Sequence, residues 1–269
     1  MEISEEGLDG ISFFAVFDGH GGRNVADFAC ERLHKNALEK LQQVLHEYVS
    51  SAAEASKKIN VKAAKTTIIE AFKKTDEEVL AKANSLNWND GACAAALWLV
   101  GRTGLVANCG DAKCVLARIA DKDRPGGIKA GALRALVLTK DHLAIYPSER
   151  ARIEKAGGSI SEGRLQGKMQ VARSFGDKAM KGFGCTSAPD VTAFELGPRD
   201  AFLILACDGF WGVFDAQNAV DMAQQLLAQG RGEKSVANRL LNEAVRERKC
   251  KDNVTVMLVR LRAGESHSK

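Results

Sequence analysis

No block of lysine and arginine stands out in this sequence, although its formal net charge is +4. A nucleic-acid surface is therefore not indicated, and at most a modest basic patch beside a phosphate site fits the balance. No CxxC pair occurs among the seven cysteines, at 30, 93, 109, 114, 185, 207 and 250. Their odd number and scatter argue against a disulfide framework and for a reducing compartment. Several sit inside apolar runs, where buried thiols are found. No stretch reads as a signal peptide or a spanning helix. The expected setting is cytoplasmic and/or nuclear, with no membrane partner and monomer as the default. Internal repeats and low-complexity tracts are also missing, which removes solenoids and disordered linkers.

What is present is the balance of an ordinary globular protein, 45% apolar and 27% charged. The 269 residues are ample for a substantial core and are read as a single domain. The chain is organised around Ile11 to Gly22, ISFFAVFDGHGG. Its nearly unbroken apolar run is that of a strand buried on both faces. The run stops at Asp18, Gly19, His20, Gly21 and Gly22. Asp offers hard oxygen ligands, His titrates near neutral pH, and glycine lets backbone approach a ligand. A strand ending in an Asp-Gly hairpin turn reads equally well from this stretch alone.

Apolar spacing then predicts a helix over Asn24 to Tyr48 and a second marked by Val61, Ala64, Ile68, Phe72 and Val79, with a turn over Ser50 to Lys58. Ala92–Val100, Leu105–Cys109 and Cys114–Ile119 read as consecutive antiparallel strands, followed by a loop over Asp121–Ala132 and a strand at Leu133–Leu138. Pro147 to Ala156 is a short helix closed by Gly157-Gly158. Ser159 to Val191, rich in glycine, reads as an irregular lobe with little core. Ala201 to Cys207 is a second buried strand ending in Asp208-Gly209. Asp215 caps a helix to about Gln229, Ser235 starts another, and Val254 to Leu261 is the last strand. Strands and helix pairs in separate blocks predict an α+β fold on largely antiparallel sheets.

Asp18 and Asp208 each follow a buried strand, and Asp252 precedes one. Carboxylates gathered at sheet ends repel unless cations lie between them. All-oxygen ligation points to Mg²⁺ or Mn²⁺ and not zinc, and two such ions suit attack on phosphorus. Each acid taken singly reads better as a turn residue or helix cap.

FFAVFDGHGG, NCGDA, LTKDH, ERARIEKAGGSI, VARSFGD, APDV, LILACDGFW and KDNVTVMLV occur in that order. From Phe13 to Leu261 the chain resembles the metal-dependent Ser/Thr phosphatases of the PP2C (PPM) family. The resemblance implies a central β-sandwich of two largely antiparallel sheets flanked by helix pairs (αββα). It implies that Asp18 bridges two Mg²⁺ or Mn²⁺ ions, that the carbonyl of Gly19 binds one, and that Asp208 and Asp252 bind the other. It further implies a metal-bridging hydroxide as nucleophile, His20 as general acid, Asp111 at a weaker third metal, and phosphoprotein substrates. Gly157 to Asp190 matches the flap beside the active site.

Arg173 in VARSFGD reads either as a phosphate-side arginine or as a structural ion-pair partner. Asp177, Asp141 and His142 are expected to hold loops by hydrogen bonds, and Phe210 and Trp211 to pack at a strand end. Family members carry an upstream phosphate-gripping Arg and an acidic stretch, whereas this chain begins Met1-Glu2-Ile3. Glu2 reads as a frayed surface residue. Gly212 replaces an Asp common in the family. These departures imply a raised KM, and they keep open a catalytically impaired pseudophosphatase or a phosphoprotein-binding module.

Overall fold

The computed structural model describes residues 11–50, 59–120 and 131–261. Glu2, the expected turn over Ser50 to Lys58, most of the loop Asp121–Ala132 and the C-terminal tail lie outside them. In chain order the elements are β1 (Ile11–His20), α1 (Asn24–Ser50), α2 (Val61–Ser85), β2 (Gly91–Val100), β3 (Thr103–Cys109), β4 (Lys113–Ile119) and β5 (Leu133–Val137). There follow α3 (Pro147–Lys155), β6 (Ile160–Ser161), β7 (Arg164–Leu165), β8 (Phe175–Gly176), α4 (Lys178–Lys181) and β9 (Asp190–Glu195). The chain ends with β10 (Asp200–Ala206), α5 (Asp208–Trp211), α6 (Ala216–Ala228), α7 (Glu233–Asn242) and β11 (Val256–Arg260). Two compact units result, one from residues up to 112 with 139–195, the other from 113–138 with residues from 196 on.

The first unit is an antiparallel sheet in the order β1-β2-β3-β9, with β8 also pairing with β2. Alternate β2 residues Ala92, Ala94, Ala96, Trp98 and Val100 pack with Val25, Leu33 and Leu41 of α1 and Ile68, Phe72 and Val79 of α2. Alanine at three of these positions lets the helices lie close to the sheet. Cys93, Ala95 and Leu97, on the other face of β2, are buried too. This double burial is why the strand reads as a continuous apolar run. Asn60 caps α2, its side chain accepting the Ala63 amide at 3.1 Å.

The second unit repeats the plan with the sheet β11-β10-β4-β5. Phe202, Ile204 and Ala206 of β10 pack with Ala219, Val220 and Ala223 of α6 and with Val236 and Leu240 of α7. Asp215 caps α6 as expected, accepting the Asn218 amide at 2.9 Å. Phe210 stacks on Phe214, and the Trp211 indole donates to the carbonyl of Ala206 at the end of β10. The molecule is thus mixed α+β, built of antiparallel sheets each backed by a helix pair.

Two expectations change. Strands β3 and β4 are consecutive but not paired, because the chain leaves one sheet at Gly110 and joins the other at Lys113. The region Ser159–Val191 is more ordered than its glycines suggest. It holds the β6–β7 hairpin, β8, α4 and the start of β9, with Ile153, Leu165, Ala172 and Cys185 in a small core of their own.

Phe72 is fully buried and stacks on Phe175 with ring centroids 5.2 Å apart. Phe72→Ala removes that ring from the helix–sheet core and is expected to cost about 3–5 kcal/mol, read as a lower urea midpoint at unchanged slope.

Candidate active site

The register of β1 on β2 sets Asp18 opposite Cys93, Gly19 opposite Ala92 and His20 opposite Gly91. The chain then turns into α1 through Gly21 and Gly22, with φ of +70° and +156°. Asp90 explains the turn. Its buried carboxylate accepts the Val25 amide at 2.9 Å, anchoring the first turn of α1. A Cβ on Gly22 would lie 3.0 Å from the Asp90 side chain.

His20 Nε2 lies 2.7 Å from Asp177 Oδ2, and the Ser174 hydroxyl donates to the same oxygen at 2.6 Å. Burial by itself would lower the imidazole pKa. The hydrogen bond to Asp177 and the charges of Asp177, Asp18 and Asp111 outweigh it, so the pKa is raised above 6.5. Asp177 does hold its loop, as expected, since its amide donates to the Asp90 carbonyl at 3.0 Å. Its contact with His20 is the part that sequence reasoning missed, and the separation of 157 residues leaves no local signal of it.

Asp111 is buried in the segment after β3. His142 clamps that segment as a loop-holding residue, accepting the Gly110 amide at Nδ1 (3.1 Å) and donating its own amide to the Gly110 carbonyl (3.0 Å).

The contacts of Arg173 bear on its two readings. Its guanidinium forks onto Glu149 with contacts of 2.5–3.1 Å and reaches Asp190 Oδ1 at 2.9 Å and the Ala188 carbonyl at 3.0 Å. Arg152 adds a second cation to Glu149 at 2.6 Å. Arg173 thus has the contacts of a structural ion-pair partner.

In the second unit Cys207 precedes α5, and Asp208 is its first residue. A Cβ on Gly209 would strike the Asn253 carbonyl, so glycine is required for the loop carrying Asp252 to come this close. Two thiols tie these loops together. Cys207 Sγ donates to the Asn253 carbonyl at 3.3 Å and accepts the Thr255 amide at 3.1 Å. Cys250 Sγ donates to the Gly209 carbonyl at 3.0 Å and accepts the Asp252 amide at 3.4 Å. Among the described residues no lysine or arginine pairs with Asp208 or Asp252. Glu149 and Asp200, by contrast, are each met by arginine. Carboxylates presented without a protein cation fit a hard divalent ion.

The first unit thus carries an acid, a titratable imidazole and glycine turns at the end of its helix-backed sheet, and the second, taken by itself, carries two loop-borne acids. The family profile described as Protein phosphatase 2C matches residues 1–254. Probable protein phosphatase 2C 8 of Arabidopsis thaliana is 47% identical over 249 residues, covering 91% of this chain and 68% of the relative. Probable protein phosphatase 2C 67 of Oryza sativa subsp. japonica is 45% identical, covering 91% and 65%. The Homo sapiens integrin-linked kinase-associated serine/threonine phosphatase 2C is 38% identical, covering 93% and 63%. The crystal structure of serine-threonine phosphatase 2C from Toxoplasma gondii superposes with a TM-score of 0.78 at 25% identity, covering 96% of this chain and 87% of that one. The architecture is that of a protein phosphatase fold. The chain belongs to the protein phosphatase 2C family. It spans about two thirds of the length of these curated relatives.

The Glu149 cluster makes a prediction about acid stability. Burial alone would raise the Glu149 pKa, but hydrogen bonds and charge from Arg173 and Arg152 bring it from 4.5 down to about 2. A depressed carboxyl pKa stabilises the fold fully above pH 4.5 and progressively less as the pH falls toward 2. Unfolding free energies at pH ~5 and pH ~3 should therefore differ by about 2 kcal/mol less in Glu149→Gln than in the parent. Equal differences in the two proteins would contradict the assignment.

Proposed function

We propose that this chain is a divalent-metal-dependent protein phosphatase acting on phosphoserine and phosphothreonine. The observation that carries the reading is the acid set. Asp18 stands at the end of β1 two residues from His20, and Asp208 and Asp252 lie on loops bound to each other, without a lysine or arginine ion-paired to either among the described residues. In this reading Asp18, the carbonyl of Gly19, Asp208 and Asp252 hold two Mg²⁺ or Mn²⁺ ions, with Asp111 at a weaker third. When bound, the cations neutralise the phosphate dianion and ionise water for attack on phosphorus.

The protein's own share of the chemistry falls to His20. An alkoxide leaving group needs a proton, and burial's lowering of the His20 pKa is outweighed by the Asp177 hydrogen bond and nearby carboxylates, which favour the protonated imidazole that can supply one. Among the described residues no thiol carries the phosphate cradle of a Cys-based phosphatase. Cys93, Cys109 and Cys114 are buried, and burial raises their pKa values. The substrates are phosphoproteins, and the working form is a monomer in the cytoplasm and/or nucleus. Among the described residues no helix is long and apolar enough to cross a membrane.

Hydrolysis of a phosphothreonine peptide with Mn²⁺, Mg²⁺ or EDTA tests this. Turnover should require metal and fall by about 100-fold or more in Asp208→Ala, the scale of losing one electrostatic stabiliser. Tight phosphopeptide binding without turnover would favour a non-catalytic phosphoprotein-binding module.

A further inference from the structure

We propose that Asp177 is the positioning residue of His20. Its carboxylate accepts Nε2–H, holds the ring in one tautomer and orientation, and leaves Nδ1 as the nitrogen that serves the departing oxygen. The last step rests on the phosphatase reading; the first two do not.

The contact is built into the fold from several sides. A carboxylate can only accept, and Oδ2 of Asp177 takes donors from both His20 Nε2 and Ser174 Oγ. His20 Nε2 therefore carries the proton. Ser174 is fully buried, with its hydroxyl also 3.2 Å from the Cys185 thiol. Asp177 adopts left-handed backbone, φ +48°, which is unfavourable for a residue with a Cβ. Such a conformation persists only where its surroundings impose it. Here they do. The Asp177 amide is held by Asp90, the Gly176 amide donates to Asp76 Oδ1 at 2.8 Å, and Lys181 bridges Asp76 Oδ2 (2.7 Å) and the Ser174 carbonyl (2.9 Å).

The sheet supplies an independent argument. His20 of β1 and Gly176 of β8 both pair with Gly91, from opposite edges of β2. The His20–Asp177 contact passes over that residue. A Cβ on Gly91 would fall on the Asp177 carboxylate and 2.5 Å from His20 Nε2. Only glycine at this register position lets an acid from beyond β8 reach a histidine at the end of β1. Two elements far apart in sequence are thus shaped around one hydrogen bond, as a preorganised site requires.

The tautomer and the leaving-group dependence test the proposal separately. In metal-free protein carrying ¹⁵N-labelled histidine at alkaline pH, the His20 signals are assigned by their loss in His20→Gln. They should report Nε2 protonated and Nδ1 bare, and Asp177→Ala should give mixed tautomers. An Nδ1–H tautomer in the parent, or no change in Asp177→Ala, overturns the proposal.

Kinetics supply the second readout. A phosphothreonine peptide needs its leaving oxygen protonated, whereas p-nitrophenyl phosphate does not. The ratio of kcat on the peptide to kcat on p-nitrophenyl phosphate should fall about 10–100-fold in Asp177→Ala, with KM for the peptide nearly unchanged. Asp177→Asn, whose amide oxygen still accepts Nε2–H, should recover most of the loss, and Gly91→Ala should reproduce the loss with both partners intact. An unchanged ratio in folded Asp177→Ala would make Asp177 merely structural and overturn the proposal. If the parent hydrolyses neither substrate, the phosphatase reading fails, while the tautomer measurement still decides whether Asp177 positions His20.

Discussion

Asp90 is the constraint on which the N-terminal part of the site depends. One buried residue makes three connections. Its carboxylate fixes the start of α1 through the Val25 amide, its carbonyl holds the Asp177 amide, and its side chain lies against Gly22 in the turn after His20. A buried carboxylate is tolerated only when its acceptors are satisfied. Here the Val25 amide donates to the carboxylate, and the Asp177 amide donates to the backbone carbonyl of the same residue. The same residue immediately precedes Gly91, over which His20 and Asp177 meet. Helix start, turn and acid–imidazole contact are therefore set by one short stretch, Asp90-Gly91, at the head of a fully buried strand.

The second unit solves a similar problem with weaker bonds. Two acids must sit at a strand end without being consumed by the protein's own cations. The loops that carry them are tied by the thiols of Cys207 and Cys250, which bind backbone, while Asp252 Oδ1 accepts the Asn253 amide at 2.7 Å. A thiol is a weak donor and acceptor, small enough to fit between two backbone segments. Lysine or arginine in either place would bring a positive charge beside the acids. Cysteine gives cohesion without charge.

Charge is used in the opposite way around Glu149. Two arginines converge on it, and Arg173 continues to Asp190, which also faces His142. Burying such a cluster is favourable only when each member is paired. That requirement makes Arg173 the joint between α3 and the start of β9. Glu149 and Asp200 meet arginine, whereas among the described residues no lysine or arginine ion-pairs with Asp208 or Asp252.

Much of this was legible in the residues. Apolar periodicity located β1, β2, β10 and both helix pairs, because burial of a face imposes a local repeat. Asp215 was identifiable as a cap because capping is a bond within one turn. Asp18, His20 and Asp208 stood out because polar residues abruptly ended apolar runs, and Asp252 because it stands just before one. The strand β9 and the pairing of β8 were hidden, since Phe175-Gly176 is too short to show a period and Asp190–Glu195, DVTAFE, is a short strand that begins with an acid. The separation of β3 from β4 into different sheets was hidden too, because strand propensity is local and does not name a partner. Sequence alone determined the long strands and helices, and that acids end two of the buried strands. Only tertiary structure decided that Arg173 is spent on Glu149, that two thiols fasten the loops of Asp208 and Asp252, and that Asp177 meets His20 across a glycine. These are contacts between residues distant along the chain, and a hydrogen bond of that kind exists only once the backbone has brought its two ends together.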